Sequence, residues 1–137
     1  MIGEGEAGRI DALCRAYAAA LERGDLDALL ACFTEDAVAH SPIFGTLPAA
    51  EFYARVLRIT GGRRMSVRTV FAGLSDPPRA AIHVRYTRRI EGRPAATIEG
   101  VDLFDLSPGL DRFAAVTIVY DTAPVRPDFD DPAGPGR

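Results

Sequence analysis

The sequence predicts an α+β domain in which three N-terminal helices pack on one side of a strongly curved, mostly antiparallel sheet, and three observations predict it. Up to about residue 60 apolar residues recur at helical spacing. Beyond residue 64 the period becomes alternating, and Gly/Pro/Asp clusters at residues 75–78, 91–94 and 107–111 divide the rest into four long strands. In the second of these, Ile82, Val84 and Tyr86 alternate with His83, Arg85, Thr87 and Arg89, which is the pattern of a sheet with one buried and one wet face. Helices first and strands afterwards disfavour a doubly wound parallel sheet. A strongly twisted sheet wrapped round helices encloses a cone, and the space between the two layers is where small-molecule sites form.

The first helix is expected over residues 5–23, with Ile10, Leu13, Cys14, Tyr17, Ala18 and Leu21 on its buried stripe. Gly24 ends it and Asp25 can cap the next, whose stripe is Leu26, Leu29, Leu30 and Phe33. After a brief extended piece, Ala37 to His40, Thr46 is expected to cap a third helix with Pro48 in its first turn. Tyr53, Val56, Leu57 and Thr60 face inward from that helix, and Gly61 and Gly62 stop it. The ordered domain is expected to span residues 1–123. Residues 124–137, with Pro124, Pro127, Pro132 and Pro135 and little apolar content, read as a flexible tail.

Composition narrows the chemistry. At 137 residues and 47% hydrophobic content the chain is long enough to bury one real core, and a second domain is not expected. A net charge of -3 with dispersed arginines gives no general attraction for nucleic acid or anionic membranes. All 16 basic residues are arginine, so a lysine Schiff base and a P-loop are excluded. No segment has the length and character of a leader or a membrane span, and the cytoplasm is the expected location. Cys14 and Cys32 lie in predicted helices without metal or redox spacing and are expected to be free buried thiols. With two separated histidines and no carboxylate pair at ligand spacing, neither a metal nor another cofactor is expected.

Asp102 is the strongest site candidate. The inward set on its strand is Ile98, Gly100, Asp102 and Phe104, so its carboxyl lies among apolar neighbours, where it must be protonated or paired, and no lysine exists to pair it. Tyr17 is on a buried helical stripe, a place where core tyrosines are commoner than catalytic ones. His83 is on a polar face beside arginines and is left out of the site. The pairs Arg63, Arg64 and Arg88, Arg89 read as solvated edges or oligomer contacts.

The segment Arg15 to Pro42, RAYAAALERGDLDALLACFTEDAVAHSP, resembles the opening of ketosteroid isomerases, with the spacing from Tyr17 to the GDLD turn at Gly24 to Asp27 kept. GVDLFDL, Gly100 to Leu106, is similar to the strand of that family on which a pocket-facing acid is followed two residues later by Phe; Asp102 and Phe104 hold those places. The resemblance covers roughly residues 10–121. It implies the cone-shaped fold of ketosteroid isomerases and SnoaL-like polyketide cyclases, members of the nuclear-transport-factor-2-like superfamily. It also implies that Tyr17 and a neutral Asp102 donate hydrogen bonds to an enolate oxygen, the neutral acid requiring an apolar site. Tyr120 falls where the family has an aromatic pocket residue. A homodimer through the outer sheet face, with Arg85, Thr87 and Arg89 near the seam, is a further implication.

The resemblance stops at the catalytic base. The family's proton-shuttling Asp precedes a Pro; here Ser41 precedes Pro42, and a serine hydroxyl is far too weak an acceptor. His40, next to it, has a suitable intrinsic pKa near 6.5 and is the candidate base, but neighbours on an extended segment point to opposite faces. It reaches the pocket only if the loop Ser41 to Gly45 turns it inward. Two functions are therefore expected from different classes. One is an enzyme that isomerises or cyclises a hydrophobic polycyclic or polyketide-like compound, with Tyr17 and Asp102 as donors, His40 as base, Ser41 orienting it or the substrate, and Tyr53, Tyr86, Phe104 and Tyr120 lining the cavity. The other is a non-catalytic module that holds an apolar ligand in the same cone. An epoxide-opening relative would need a further pocket carboxylate.

Overall fold

A computed structural model describes residues 2–130. The chain begins with α1 (Glu4–Arg23) and α2 (Leu26–Leu30), then forms β1 (Phe33–Ser41) and β2 (Gly45–Pro48). After α3 (Ala49–Ile59) come four long strands, β3 (Thr60–Ala72), β4 (Arg79–Ile90), β5 (Ala96–Leu106) and β6 (Phe113–Tyr120), and a short α4 (Pro127–Asp130). The strands form one open six-stranded sheet in the order β2-β1-β6-β5-β4-β3. Only β1 with β6 is parallel; the other neighbours are antiparallel. The helices cover one face of this curved sheet, so the α+β cone read from the sequence is the fold. None of the described helices is long and apolar enough to cross a membrane.

The junction of the first two helices follows its sequence. Gly24 takes the left-handed conformation, φ 71°, and its N–H turns back on the last turn of α1. Asp25 then caps α2, its Oδ1 accepting from Ala28 N at 3.1 Å. Arg63 completes the end of α1: Nε donates to Leu21 O at 3.1 Å and Nη1 to Thr60 O at 2.7 Å. It is thus a capping residue, not a solvated edge.

Three local expectations change. The second helix ends at Leu30, and Phe33 opens a nine-residue strand in place of the brief piece Ala37 to His40. A short helix end and a buried strand start are both apolar, so periodicity does not separate them. Thr46 caps nothing. Gly45, at φ 74°, turns the chain back so that residues 45–48 pair with β1, and it is Pro48 that precedes the first turn of α3. Gly61 and Gly62 lie inside β3, at an irregularity in its pairing with β4 that the positive φ of Gly62 (56°) accommodates, while the helix ends on Thr60.

The Pro-rich segment also departs from expectation. Residues 124–130 are built into the fold: Val125 is buried, Phe129 packs on Phe44, and Asp128 meets Arg88. Residues 131–137 of the expected tail lie outside the described residues. Arg88, read as a solvated edge, is buried instead.

The core is aromatic at the closed end of the cone. Phe104 stacks on Phe113 with ring centroids 3.8 Å apart, and Tyr17 meets both rings edge-on, at 5.1 and 5.9 Å. Cys14 and Cys32 are free and buried, Cys32 in the turn after α2, and burial pushes the Cys14 thiol up to about 12. Neither thiol is ionised near neutral pH.

Candidate functional site

The side chains that face the helices from β4, β5 and β6 follow one parity. Across the sheet Asp102 stands between Ile82 and Ile118, and Gly100 between Val84 and Tyr120. Farther along β4 come Tyr86, opposite Ile98, and then Arg88, opposite Ala96. With α1 and α3 above, these rows enclose an apolar cavity of about 110 Å³. The loop after β1, through Ser41, Ile43 and Phe44, and Phe129 from α4 complete its wall. Gly100 keeps the floor low, because a Cβ there would stand 3.1 Å from Val119 O and 3.4 Å from Tyr120 Cβ.

At the deep end α1 and β5 bring Tyr17 and Asp102 together. Tyr17 Oη donates to Asp102 Oδ2 at 3.1 Å and is 2.8 Å from Tyr53 Oη, which α3 supplies. All three residues are buried. Loss of water raises the Asp102 pKa to about 7, the Tyr17 hydrogen bond acting in the opposite sense. Burial, and next the charge of Asp102, push both phenols well above their usual range, so Tyr17 and Tyr53 remain protonated donors. Tyr17 has a single proton. When it donates to ionised Asp102, Tyr53 must be its donor; when Asp102 is neutral, the carboxyl can donate and the chain can reverse.

Of the other residues singled out from sequence, Ser41, Tyr53, Tyr86 and Tyr120 line the cavity. Ser41 Oγ accepts from Ile43 N and Phe44 N, each at 3.1 Å, which fixes the loop. Phe104 is not in the wall: stacked on Phe113, it is part of the core beneath. His40 does not reach the cavity. It is exposed on the other side of β1, with Nδ1 2.8 Å from Thr46 Oγ1 on β2, because strand parity continues through Ser41 and the β1–β2 ladder holds both residues. The structure therefore removes His40 as a base acting in this cavity. His83 also faces outward, 2.8 Å from Glu99 Oε2.

The sequence reading missed Arg88, although the alternation Ile82, Val84, Tyr86 continues to it. Its guanidinium pairs with Asp128 at 2.8 Å and lies 5.7 Å from the centroid of Phe129. Tyr86 Oη is fully buried without a hydrogen-bond partner. Its neighbour Thr60 already donates to Val56 O at 2.6 Å and accepts from Arg63. Among the lining residues Asp102 is the single acid, and among the described residues no three His, Cys, Asp or Glu side chains group as a metal site would need. The arrangement can hold an apolar molecule and donate hydrogen bonds to an oxygen at its deep end.

The family model of the SnoaL-like domain matches residues 14–114. Among solved structures, PrhC from Penicillium brasilianum NBRC 6234 superposes with a TM-score of 0.75 at 14% identity, over 89% of this chain and 86% of its own. A hypothetical protein with a ketosteroid isomerase-like fold from Catenulispora acidiphila DSM 44928, in complex with trimethylamine, gives 0.72 at 16% identity, covering 86% and 92%. A candidate SnoaL-like polyketide cyclase from Shewanella denitrificans OS-217 gives 0.68 at 16% identity, covering 88% and 95%. Identities this low carry the fold alone. Among curated proteins none matches the chain.

Proposed function

Since this chain belongs to the SnoaL-like domain family, in the nuclear-transport-factor-2-like superfamily, we propose that it binds a small hydrophobic carbonyl compound and stabilises its enolate for isomerisation or cyclisation. The observation that carries this is the contact of Tyr17 with Asp102, the cavity's single acid, at 3.1 Å inside an apolar wall. The substrate oxygen would enter beside these two groups and take hydrogen bonds from both. Donors already fixed in a dry site stabilise the charge that develops there, and losing one costs on the order of 100-fold in rate.

No lining residue other than Asp102 is an acid or a histidine. The ligands this favours have an already acidic C–H or O–H, such as a 1,3-dicarbonyl compound or a phenol, for which donation to the oxyanion is most of the catalysis. Asp102, at about 7, is neutral in part at neutral pH, the form that donates to the oxyanion, and the substrate's acidic proton leaves to water or buffer.

A second reading, a binding module without turnover, is favoured by the outward His40 ring and by Ser41 at the place of the isomerases' base. Deuterium exchange at the α-carbon of 2-tetralone, followed by NMR with 2-naphthol binding measured alongside, separates the two. The enzyme reading expects acceleration over buffer that falls about 100-fold in Tyr17→Phe and in Asp102→Ala. Binding of 2-naphthol without acceleration establishes the module, and absence of both overturns the site.

A further inference from the structure

The end of the cavity away from Asp102 is rich in donors, and one of them, Tyr86 Oη, has no hydrogen-bond partner. Along β4 the inward residues run Ile82, Val84, Tyr86, Arg88, with Ile82 beside Asp102 in the ladder. Six positions at roughly 3.3 Å each place the backbone of Arg88 on the order of 20 Å along the strand from the Asp102 row. Arg88 thus stands at the opposite end of the same cavity that Tyr17 and Asp102 close.

The Arg88 side chain is only 3% exposed. Asp128 takes one hydrogen bond, from Nη1 at 2.8 Å, and the other guanidinium nitrogens make none to a described residue. Those nitrogens are not sealed in, because Tyr86 Oη is the one side-chain polar atom among the described residues both fully buried and unpartnered. Tyr120, from the neighbouring row of β6, brings a second phenol into the same wall, also without a hydrogen bond to a described residue. A buried guanidinium with one bond to Asp128, a phenol without a partner and a second phenol therefore line the same cavity, Arg88 and Tyr86 on successive inward rows of β4 and Tyr120 one row nearer Asp102. Docking α4 does not require this chemistry: a buried ion pair is on balance about as stabilising as apolar residues of the same volume, whereas buried donors left unmade cost free energy. The planar fork of an arginine matches two carboxylate oxygens.

We propose that Arg88, Tyr86 and Tyr120 form a carboxylate subsite, and that the ligand carries an enolic or phenolic oxygen at one end and an acid group at the other. This rests on the enolate-binding reading of the deep end and specifies its substrate class. Asp128 holds Nη1, which leaves Nε and Nη2 of this cavity-lining arginine free for a carboxylate. A linear hydrophobic skeleton then spans the two polar ends, oriented by its acid and presenting its enolisable end to Tyr17 and Asp102.

Calorimetric titration with 2-naphthol, 6-hydroxy-2-naphthoate and the methyl ester of that acid tests it. The wild-type protein is expected to bind the acid at least tenfold more tightly than the ester. In Arg88→Gln this preference collapses toward one. Because that change leaves Asp128 buried without its partner, the double variant Arg88→Gln, Asp128→Asn, which removes both charges, is measured beside it after thermal unfolding has shown it folded. A wild-type preference below threefold, with 2-naphthol and the ester still bound, overturns the carboxylate subsite and leaves the deep end standing. So does a preference that survives in the folded double variant. Failure of the wild type to bind any of the three overturns the cavity reading as a whole.

Discussion

Tyr17 Oη stands 3.1 Å from Asp102 Oδ2, although 85 positions separate the two residues in the chain. A helix of the N-terminal layer and a central strand must both be in place before this contact exists. A ligand oxygen entering there replaces one of the two as the other's partner, so the site is held ready by its own hydrogen bond while empty.

The Tyr53 hydroxyl supports Tyr17 from 2.8 Å, without belonging to the donor pair. Tyr53→Phe should lower 2-tetralone exchange about fivefold, less than the 100-fold of Tyr17→Phe, since it withdraws a supporting hydrogen bond of about 1 kcal/mol. Equal losses in both variants, read from exchange rates under one set of conditions, would contradict this ranking.

Burial of Asp102 makes stability depend on pH in a definite direction. Its pKa is about 7 in the folded protein against an ordinary 3.8, so between these values the folded state binds the proton more tightly and stability falls as pH rises. Below the ordinary value both states are protonated, and above about 7 both are ionised, so the loss is complete; the span corresponds to about 4 kcal/mol. Asp102→Asn should flatten this part of the profile and be more stable than wild type at pH 8. Urea midpoints at pH 5 and pH 8 for both proteins check it, and parallel profiles would rule out a buried carboxyl of this kind.

His40→Ala should leave 2-tetralone exchange within twofold of wild type, because the ring faces Thr46 and not the cavity. Ser41→Asp should raise the exchange rate, since Ser41 lines the cavity and a carboxylate there can still accept from the Ile43 and Phe44 amides. Loss of activity in the first variant, or none gained in a folded second one, counts against this placement.

Phe104 is core, not pocket wall. Phe104→Ala removes a ring stacked 3.8 Å from Phe113 and should cost about 3–5 kcal/mol, read as a lowered urea midpoint. If its principal effect were on ligand affinity with the midpoint unchanged, the ring would belong to the cavity.

The long strands β3 to β6 and the inward faces of Tyr17 and Asp102 were legible because each rests on a periodic signal, alternation along β4 and β5 and the helical stripe of α1, whereas the pairing of Tyr17 with Asp102 followed from the resemblance to ketosteroid isomerases. Strand parity also sets His40 and Ser41 on opposite faces. What remained hidden depends on contacts between distant segments. Nothing in Pro124 to Asp130 announces that Asp128 will find Arg88 under a turn of chain, and an arginine beside another arginine looks like surface until its parity is followed past Tyr86. Residues 45–48 carry helix-start signals, Thr and Pro, and become a strand because β1 lies beside them.

The parallel seam between β1 and β6 has a consequence for how the molecule is made. Its partners, Phe33 with Phe113 through His40 with Thr117, stand about 80 positions apart, and pairings of such separation close late and slowly. During synthesis the β6-side edge of β1, with Phe33, Ala37 and Ala39, has no partner until the last long strand has left the ribosome. A nascent chain that stops short of Phe113 holds α1, α2 and α3 and no closed cone, and its exposed strand edge is then open to pairing with a neighbouring chain.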